Sequence, residues 1–183
     1  MPKYTLAPPD VQDLVAQSRE RTKTPELLKV NVAAVLAEGA NLPPAACRLT
    51  SPALRAAGAA DALLVLDAAR FQDSSAAGRL AMVEHGLAGL LVVFRGDRPS
   101  LDSSGRLRLR KRPFDIHGVG YAEMLKRHRN QSVEHAALRQ IRDKTAGLGP
   151  DDGGPSASAS ASAANGKPKA PKPTRPSDPR QSA

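Results

Sequence analysis

His85 is the residue in this sequence best suited to metal chemistry, and its neighbours decide whether that chemistry is available. It lies in segment 80–89, Leu-Ala-Met-Val-Glu-His-Gly-Leu-Ala-Gly, which is predicted to be helical. A helix holds a hydrolytic zinc ion with histidines at i and i+4, which share one side, and a glutamate at i+1 beside the metal-bound water. Gly86 and Gly89 stand at positions i+1 and i+4. The sequence therefore predicts no catalytic residue and no bound zinc, because one imidazole cannot hold the ion.

A strand and a helix are predicted to position His85. The run 62–67, Ala-Leu-Leu-Val-Leu-Asp, is continuously apolar, which is typical of a buried strand. Ser74 or Ser75 then caps the central helix. Apolar residues at helical spacing form the predicted core stripe of that helix, namely Leu80, Val83, Leu87, Leu91 and Phe94. Because a helix turns by about 100° per residue, His85 points away from this stripe. Its side chain is therefore either packed without a function or directed into a site on the other face.

Two further helices are predicted before this strand. The first follows Pro8-Pro9, with Asp10 as its N-cap. The second begins at Thr24-Pro25, carries leucine and valine at helical spacing, and ends at Gly39. The pattern of residues 40–60 favours no element.

A basic segment follows the central helix and is the predicted partner-binding edge. Leucine and arginine alternate strictly from Arg106 to Arg112, which predicts a half-buried strand with its leucines inward and its arginines outward. Such a row can grip phosphates or acidic side chains, or it can protect an edge strand from aggregation. The candidate binding residues are Arg106, Arg108, Arg110, Lys111 and Arg112. A helix capped by Asp115 is predicted next, and after a break at 130–132 another helix spans 133–145.

Composition limits the class of protein. The chain has 183 residues, one cysteine and 3% aromatic residues, so its core must consist of aliphatic side chains and it cannot form an internal disulfide. No apolar stretch is long enough to span a membrane, which favours a cytoplasmic protein without a membrane partner. The net charge of +9 permits a nucleic acid or an acidic protein as partner. Residues 150–183 are rich in Ser, Ala, Lys and Pro and are predicted to be a disordered tail on a domain of residues 1–149.

The order of these motifs resembles the putative phage metallopeptidase family, whose members look like compact zincins. In that family an apolar strand precedes a His-Glu-Leu-x-His helix, a basic strand, a His-Asp-Ile helix start and a closing Glu-Arg-His-Gly. The corresponding stretches of this chain are 63–67, 85–89, 107–116 and 126–129. The resemblance implies an α+β fold, with a small sheet packed on a central helix.

The resemblance also implies that the family's chemistry has been lost. The first zinc ligand corresponds to His85, but the general base, second ligand and third ligand correspond to Gly86, Gly89 and Phe114. Zinc is thus the family cofactor but is expected to be absent, with His85 and Asp115 as vestigial candidates. A rebuilt metal site would have to gather His85 with Asp115, His117 and Cys47.

Three functions are compatible with the sequence. The first is a catalytically inactive, metallopeptidase-like accessory protein of a phage or prophage, which binds a protein partner such as one encoded by the host. The second is a basic nucleic-acid-binding protein that uses the segment 106–112, Lys126–Arg129 and the tail. The third is a metal-dependent peptidase with rebuilt ligands.

Overall fold

The computed structural model describes residues 2–22, 25–116 and 120–146, with the side chains of the last two excepted. The chain divides into two units, Met1–Gly149 and Pro150–Ala183, and every described residue belongs to the first. The predicted tail, Thr24, His117 and Val119 lie outside the described residues. Within the described ranges, no helix is both long and apolar enough to cross a membrane.

A four-stranded mixed sheet forms the centre of an α+β fold. Its strands are β1 (Lys3–Leu6), β2 (Val32–Glu38), β3 (Ala45–Leu49) and β4 (Ala62–Asp67), in the order β1-β2-β4-β3. The central pair, β2 and β4, is parallel, whereas β1 and β3 are antiparallel edge strands. Leu64 and Leu66 of β4 have no exposed surface, which confirms the buried strand predicted from its apolar run.

Helices cover the sheet, and one of them is surrounded by other elements. These helices are α1 (Pro9–Glu20), α2 (Pro52–Ala56), α3 (Ala68–Asp73) and α4 (Ala76–Ala88). Helix α4 contacts α1, β3 and β4, and its residues 81–87 are all buried. Ser75 is its N-cap, because the hydroxyl accepts from the backbone N–H of Gly78 at 3.2 Å. The expectation of a small sheet packed on a central helix is thereby confirmed.

Several predicted element boundaries are wrong. The helix expected from residue 24 to 39 is a short 3-10 turn, Pro25–Lys29, followed by strand β2, because pairing with β1 and β4 overrides the helical spacing. Pro8, rather than Asp10, is the N-cap of α1. Helix α4 ends at Ala88, so the last two residues of the predicted core stripe lie in strands β5 (Leu90–Val92) and β6 (Phe94–Arg95).

The basic segment forms a shorter strand than predicted. Strand β8 spans Leu109–Lys111 and pairs antiparallel with β5, while β6 pairs with β7 (Arg98–Pro99) in a separate hairpin. Leu107 and Leu109 pack against the core, as the alternation predicted. The exception is Arg106, which turns inward and donates to the carbonyl oxygen of Ala59 at 2.9 Å and to Asp61 at 3.2 Å.

A buried arginine ties this segment to the sheet. Arg55 of α2 is 5% exposed and pairs with Asp61 at 2.9 Å and with Asp102 at 2.7 Å. Its guanidinium also donates to the carbonyl oxygen of Leu107 at 2.9 Å. Because a buried guanidinium needs charged and hydrogen-bonding partners, these contacts fix the base of the segment.

The C-terminal part begins with a tight backbone bridge instead of the predicted helix. Asp115 and Ile116 both donate their backbone N–H to the carbonyl oxygen of Gly120. Helix α5 (Ala122–His128) follows, then a 3-10 turn at Arg129–Gln131 and helix α6 (Val133–Ala146). The helix predicted after the break at 130–132 is confirmed, but Asp115 is not a helix cap.

Candidate functional site

An open cleft of about 720 Å³ lies beside His85. Strand β3 and the prolines before it form one wall, α4 forms the floor, and α6 stands opposite. Segment 111–114 and Tyr121 complete the lining. The cleft includes all four positions to which the metallopeptidase resemblance assigns chemistry, namely His85, Gly86, Gly89 and Phe114. Its volume is within the usual range for ligand sites.

A buried carboxylate holds the imidazole of His85. Nδ1 of His85 lies 2.6 Å from Oε1 of Glu134, and that side chain has no exposed surface. The backbone N–H of Tyr121 donates to the same oxygen at 3.1 Å. Burial raises the pKa of Glu134, but these two hydrogen bonds outweigh it and hold the pKa below its usual value of 4.5. An ionised Glu134 accepts the proton of Nδ1, which fixes the ring and leaves Nε2 as its other polar atom.

Gly120 makes room for Glu134. A Cβ atom at position 120 would lie 2.3 Å from Cγ of Glu134 and 2.7 Å from its Oε1. No side chain fits so close, so glycine is required where the backbone passes this carboxylate. Oε2 of Glu134 is buried and has no hydrogen-bond partner among the described residues.

Gly86 of α4 and Gly89, which caps the C-terminal end of this helix, both lie against packed side chains. A Cβ atom at position 86 would lie 2.1 Å from Cδ1 of Leu64, which is fully buried in β4. At position 89 it would lie 3.1 Å from the hydroxyl oxygen of Tyr121. Larger side chains at these positions would require the sheet and Tyr121 to move.

Aromatic rings cover the side of the cleft where a third ligand would be expected. The ring centroids of Phe114 and Tyr121 are 5.1 Å apart, and those of His85 and Tyr121 are 5.4 Å apart. The guanidinium of Arg112 lies 5.1 Å from the Tyr121 ring, and its backbone N–H donates to the carbonyl oxygen of Gly89 at 2.9 Å. These contacts close this part of the cleft with carbon rather than with metal-binding atoms.

The predicted basic edge separates into residues with different surroundings. Lys111 and Arg112 line the cleft together with Arg70 of α3, whereas none of its described lining residues is acidic. Arg112 also pairs with Asp115 at 2.8 Å. Arg108 and Arg110 are exposed outside the cleft, and Arg106 is bonded to Asp61. The five candidates therefore do not form one surface.

The side of β3 away from β4 has unpaired backbone groups. The N–H of Asp67 donates to the carbonyl oxygen of Pro44, and that of Thr50 donates to Asp61. In an antiparallel ladder bonded residues alternate, so the backbone groups of Ala45, Cys47 and Leu49 point away from β4. Ala45 and Cys47 are only 3% and 8% exposed, so Leu49 alone among them presents this edge to solvent.

The proposed rebuilt metal site has little support among the described residues. No group of three or more His, Cys, Asp or Glu side chains in the described part of the chain is arranged to hold a metal. Cys47 does line the cleft with His85, but burial raises the pKa of its thiol to about 12. Asp115 is paired with Arg112, and His117 lies outside the described residues.

The sequence interpretation missed Glu134 and Tyr121. Glu134 is 49 residues from His85, so no local spacing connects the two. The one available signal was a glutamate near the start of an amphipathic helix. The basic stretch 126–129 also contains a contact that its composition does not predict, because Nε2 of His128 lies 3.0 Å from the buried Glu84.

Comparison with known proteins found no relative of this chain. Neither a family model, nor a curated protein, nor a solved structure matches this chain.

Proposed function

We propose that this protein is a zincin-like accessory protein without peptidase activity, which binds an extended, acidic segment of a protein partner in the cleft. The zincin likeness, the phage or prophage origin and the host source of the partner rest on the sequence resemblance. The observation that carries the proposal is an open cleft lined by His85 and by the positions to which the resemblance assigns the other metal-binding side chains.

Loss of catalysis is supported by the space around the two glycines. A glutamate at position 86 would overlap Leu64, whereas a side chain at position 89 would require Tyr121 and the carbonyl oxygen of Gly86 to shift by a few tenths of an ångström. The surroundings of both positions therefore suit glycine, and rebuilding the active site would need changes in β4 and near α5. A residual peptidase would need ligands from outside this set, and elemental analysis of the purified protein tests for them.

Binding of an extended partner is supported by the cleft beside β3, which is open and has a volume of about 720 Å³. A peptide strand would reach the outward backbone of β3 at the exposed Leu49, because Ala45 and Cys47 are buried. Lys111, Arg112 and Arg70 would favour acidic side chains on such a strand. The cleft next to β3 then accepts one or two of its side chains.

Adjacent residues of β8 provide a matched test. Lys111 lines the cleft, whereas Arg110 points to the other side of the β5–β8 ladder. We expect Lys111→Glu to reduce binding of acidic peptides, selected from a random display library on the wild-type protein, by about tenfold or more. Arg110→Glu, with the same change in charge, should reduce it by about threefold at most.

The proposal also predicts how the edge behaves. Leu49→Pro removes one outward N–H at the exposed end of β3 and keeps the ladder bonds with β4, so it should weaken the same peptides while lowering the thermal midpoint only slightly. Equal losses in Lys111→Glu and Arg110→Glu, or peptide cleavage that a chelator abolishes, would contradict the proposal.

A further inference from the structure

Four exposed arginines lie together on the β-structure outside the cleft. Arg95 and Arg98 belong to the β6–β7 hairpin, and Arg108 and Arg110 belong to the segment that pairs with β5. None of these four, called here the arginine surface, forms an ion pair with any residue in the described ranges.

Strand register brings these residues close to one another. Leu91 is paired with Arg110, and the N–H of Val93 donates to the carbonyl oxygen of Arg108 at 2.8 Å. Arg108 and Arg110 therefore share the side of the ladder opposite the buried Leu90 and Val92. Arg95 comes two residues after Val93, which places its Cα within about 12 Å of that of Arg108.

The hairpin adds two charges of the same sign at its tip. Arg95 is directly paired with Arg98 across a two-residue turn, and Gly96 adopts a φ of 60° at its first position. Like charges directly opposite each other destabilise a hairpin. Asp97 in the turn makes no ion pair with the described residues that would relieve this repulsion.

The chemistry of the arginine surface favours phosphate over carboxylate ligands spread along a protein. All four residues are arginine, whose planar fork binds phosphate oxygens in pairs. An extended backbone with one phosphate per nucleotide satisfies several neighbouring arginines at once.

We propose that the arginine surface binds the phosphate backbone of nucleic acid, without sequence preference. This surface is separate from the cleft, because Lys111 and Arg112 line the cleft and the four arginines do not. The two binding activities can therefore be lost independently.

The test compares two variants of the full chain with equal net charge. One replaces Arg95, Arg98, Arg108 and Arg110 with glutamine. The other replaces four cations elsewhere that are also exposed and form no ion pair with described residues: Arg21, Lys29, Lys126 and Arg139. Fluorescence anisotropy with a labelled mixed-sequence DNA oligonucleotide measures affinity between about 50 and 200 mM salt.

The first variant should lose at least about tenfold in affinity, and its log–log salt slope should fall by about 3. The second should stay within about threefold of the wild type and keep its slope, even though both retain the basic tail. A third variant with lysine at the four positions keeps the charge, so it should keep most of the slope and bind less tightly.

Three results would overturn the proposal. Equal losses in the two glutamine variants would attribute binding to diffuse charge. Tighter binding of poly-glutamate than of the oligonucleotide would identify an acidic protein as the ligand. Wild-type protein that does not bind the oligonucleotide at about 50 mM salt would exclude the function. Circular dichroism on each variant verifies that it is folded.

Discussion

Removal of the His85 imidazole should destabilise the protein by considerably more than an ordinary partly buried side chain would. In His85→Ala, the buried carboxylate of Glu134 loses its side-chain partner and keeps only backbone donors, the N–H of Tyr121 and its own N–H. Breaking a buried pair from one side costs about 3–5 kcal/mol, because the other charge is left uncompensated. The carboxyl group can escape by taking a proton, which from its usual pKa of 4.5 costs about 3.4 kcal/mol at pH 7. We therefore expect a loss of about 3–4 kcal/mol at pH 7.

The companion variants separate the charge from the shape. Glu134→Gln keeps the size of the side chain but removes its charge, and we expect a loss of about 1–2 kcal/mol. The double variant, His85→Ala with Glu134→Gln, should cost less than the sum of the single changes by about 1–3 kcal/mol. Urea unfolding followed by circular dichroism measures all three values. A loss below about 1 kcal/mol for His85→Ala, with additive single effects, would refute the reasoning.

The pH dependence of the same pair has a definite sign. The pKa of Glu134 is lower in the folded chain than its usual value of 4.5. Its stabilising contribution is therefore complete above about pH 4.5 and is lost as the pH falls through the folded pKa. Glu134→Gln should accordingly show a shallower loss of stability on acidification below pH 4.5 than the wild type.

Four further outcomes follow from the structure. The protein should contain no stoichiometric zinc by elemental analysis, and Gly86→Glu with Gly89→His should not restore it, because both side chains meet packed atoms. Arg55→Ala should reduce the free energy of unfolding by about 2–4 kcal/mol, since the buried Asp61 then keeps only the partly exposed Arg106 as an ion-pair partner. Cys47 should resist alkylation at neutral pH in the folded protein, because its thiol has a pKa of about 12, and should react once urea unfolds the chain. Removal of residues 150–183, which offer no apolar side chain larger than proline, should leave the thermal midpoint nearly unchanged.

Each of these outcomes has a result that contradicts it. About one zinc per chain would exclude the loss of the metal site. Arg110→Ala is the exposed control and should reduce the free energy of unfolding by less than about 0.5 kcal/mol. An equally small effect of Arg55→Ala would show that the buried ion pairs of Arg55 do not stabilise the fold. Rapid alkylation of the folded protein would show that Cys47 is accessible, and a large fall in midpoint on truncation would show that the tail docks.

Local signals predicted the elements next to His85. The apolar run of β4 and the cap at Ser75 each depend on neighbours in sequence, and both predictions are confirmed. The helix predicted over residues 32–37 is wrong, because valine and leucine recur there at helical spacing although every residue in that stretch is apolar. Uniform apolar composition suits a strand between two others, and only the pairing with β1 and β4 decides between the alternatives.

The candidate site depended on contacts that sequence spacing does not contain. His85 was recognised from its helix, but Glu134 reaches it from α6 and Tyr121 from the start of α5. The basic segment was predicted as one edge, although alternation along a strand sends Arg110 and Lys111 to opposite sides. Only the position of β3 shows that the segment contributes to two surfaces, and the pattern of residues 40–60 predicts no strand there.

Helix α6 packs against the rest of the domain mainly through its first turn. Val133 packs against the core and Glu134 is fully buried, whereas Leu138 and Ile141 are 36% and 46% exposed. Amide hydrogen exchange should therefore be slow near the start of α6 and faster toward its end, because local opening needs little energy where few contacts are lost. Ala137 and Gln140 line the cleft, so a bound partner would slow exchange in this outer part of the helix. Exchange along α6 would thus report whether the cleft is occupied, even before the partner is identified.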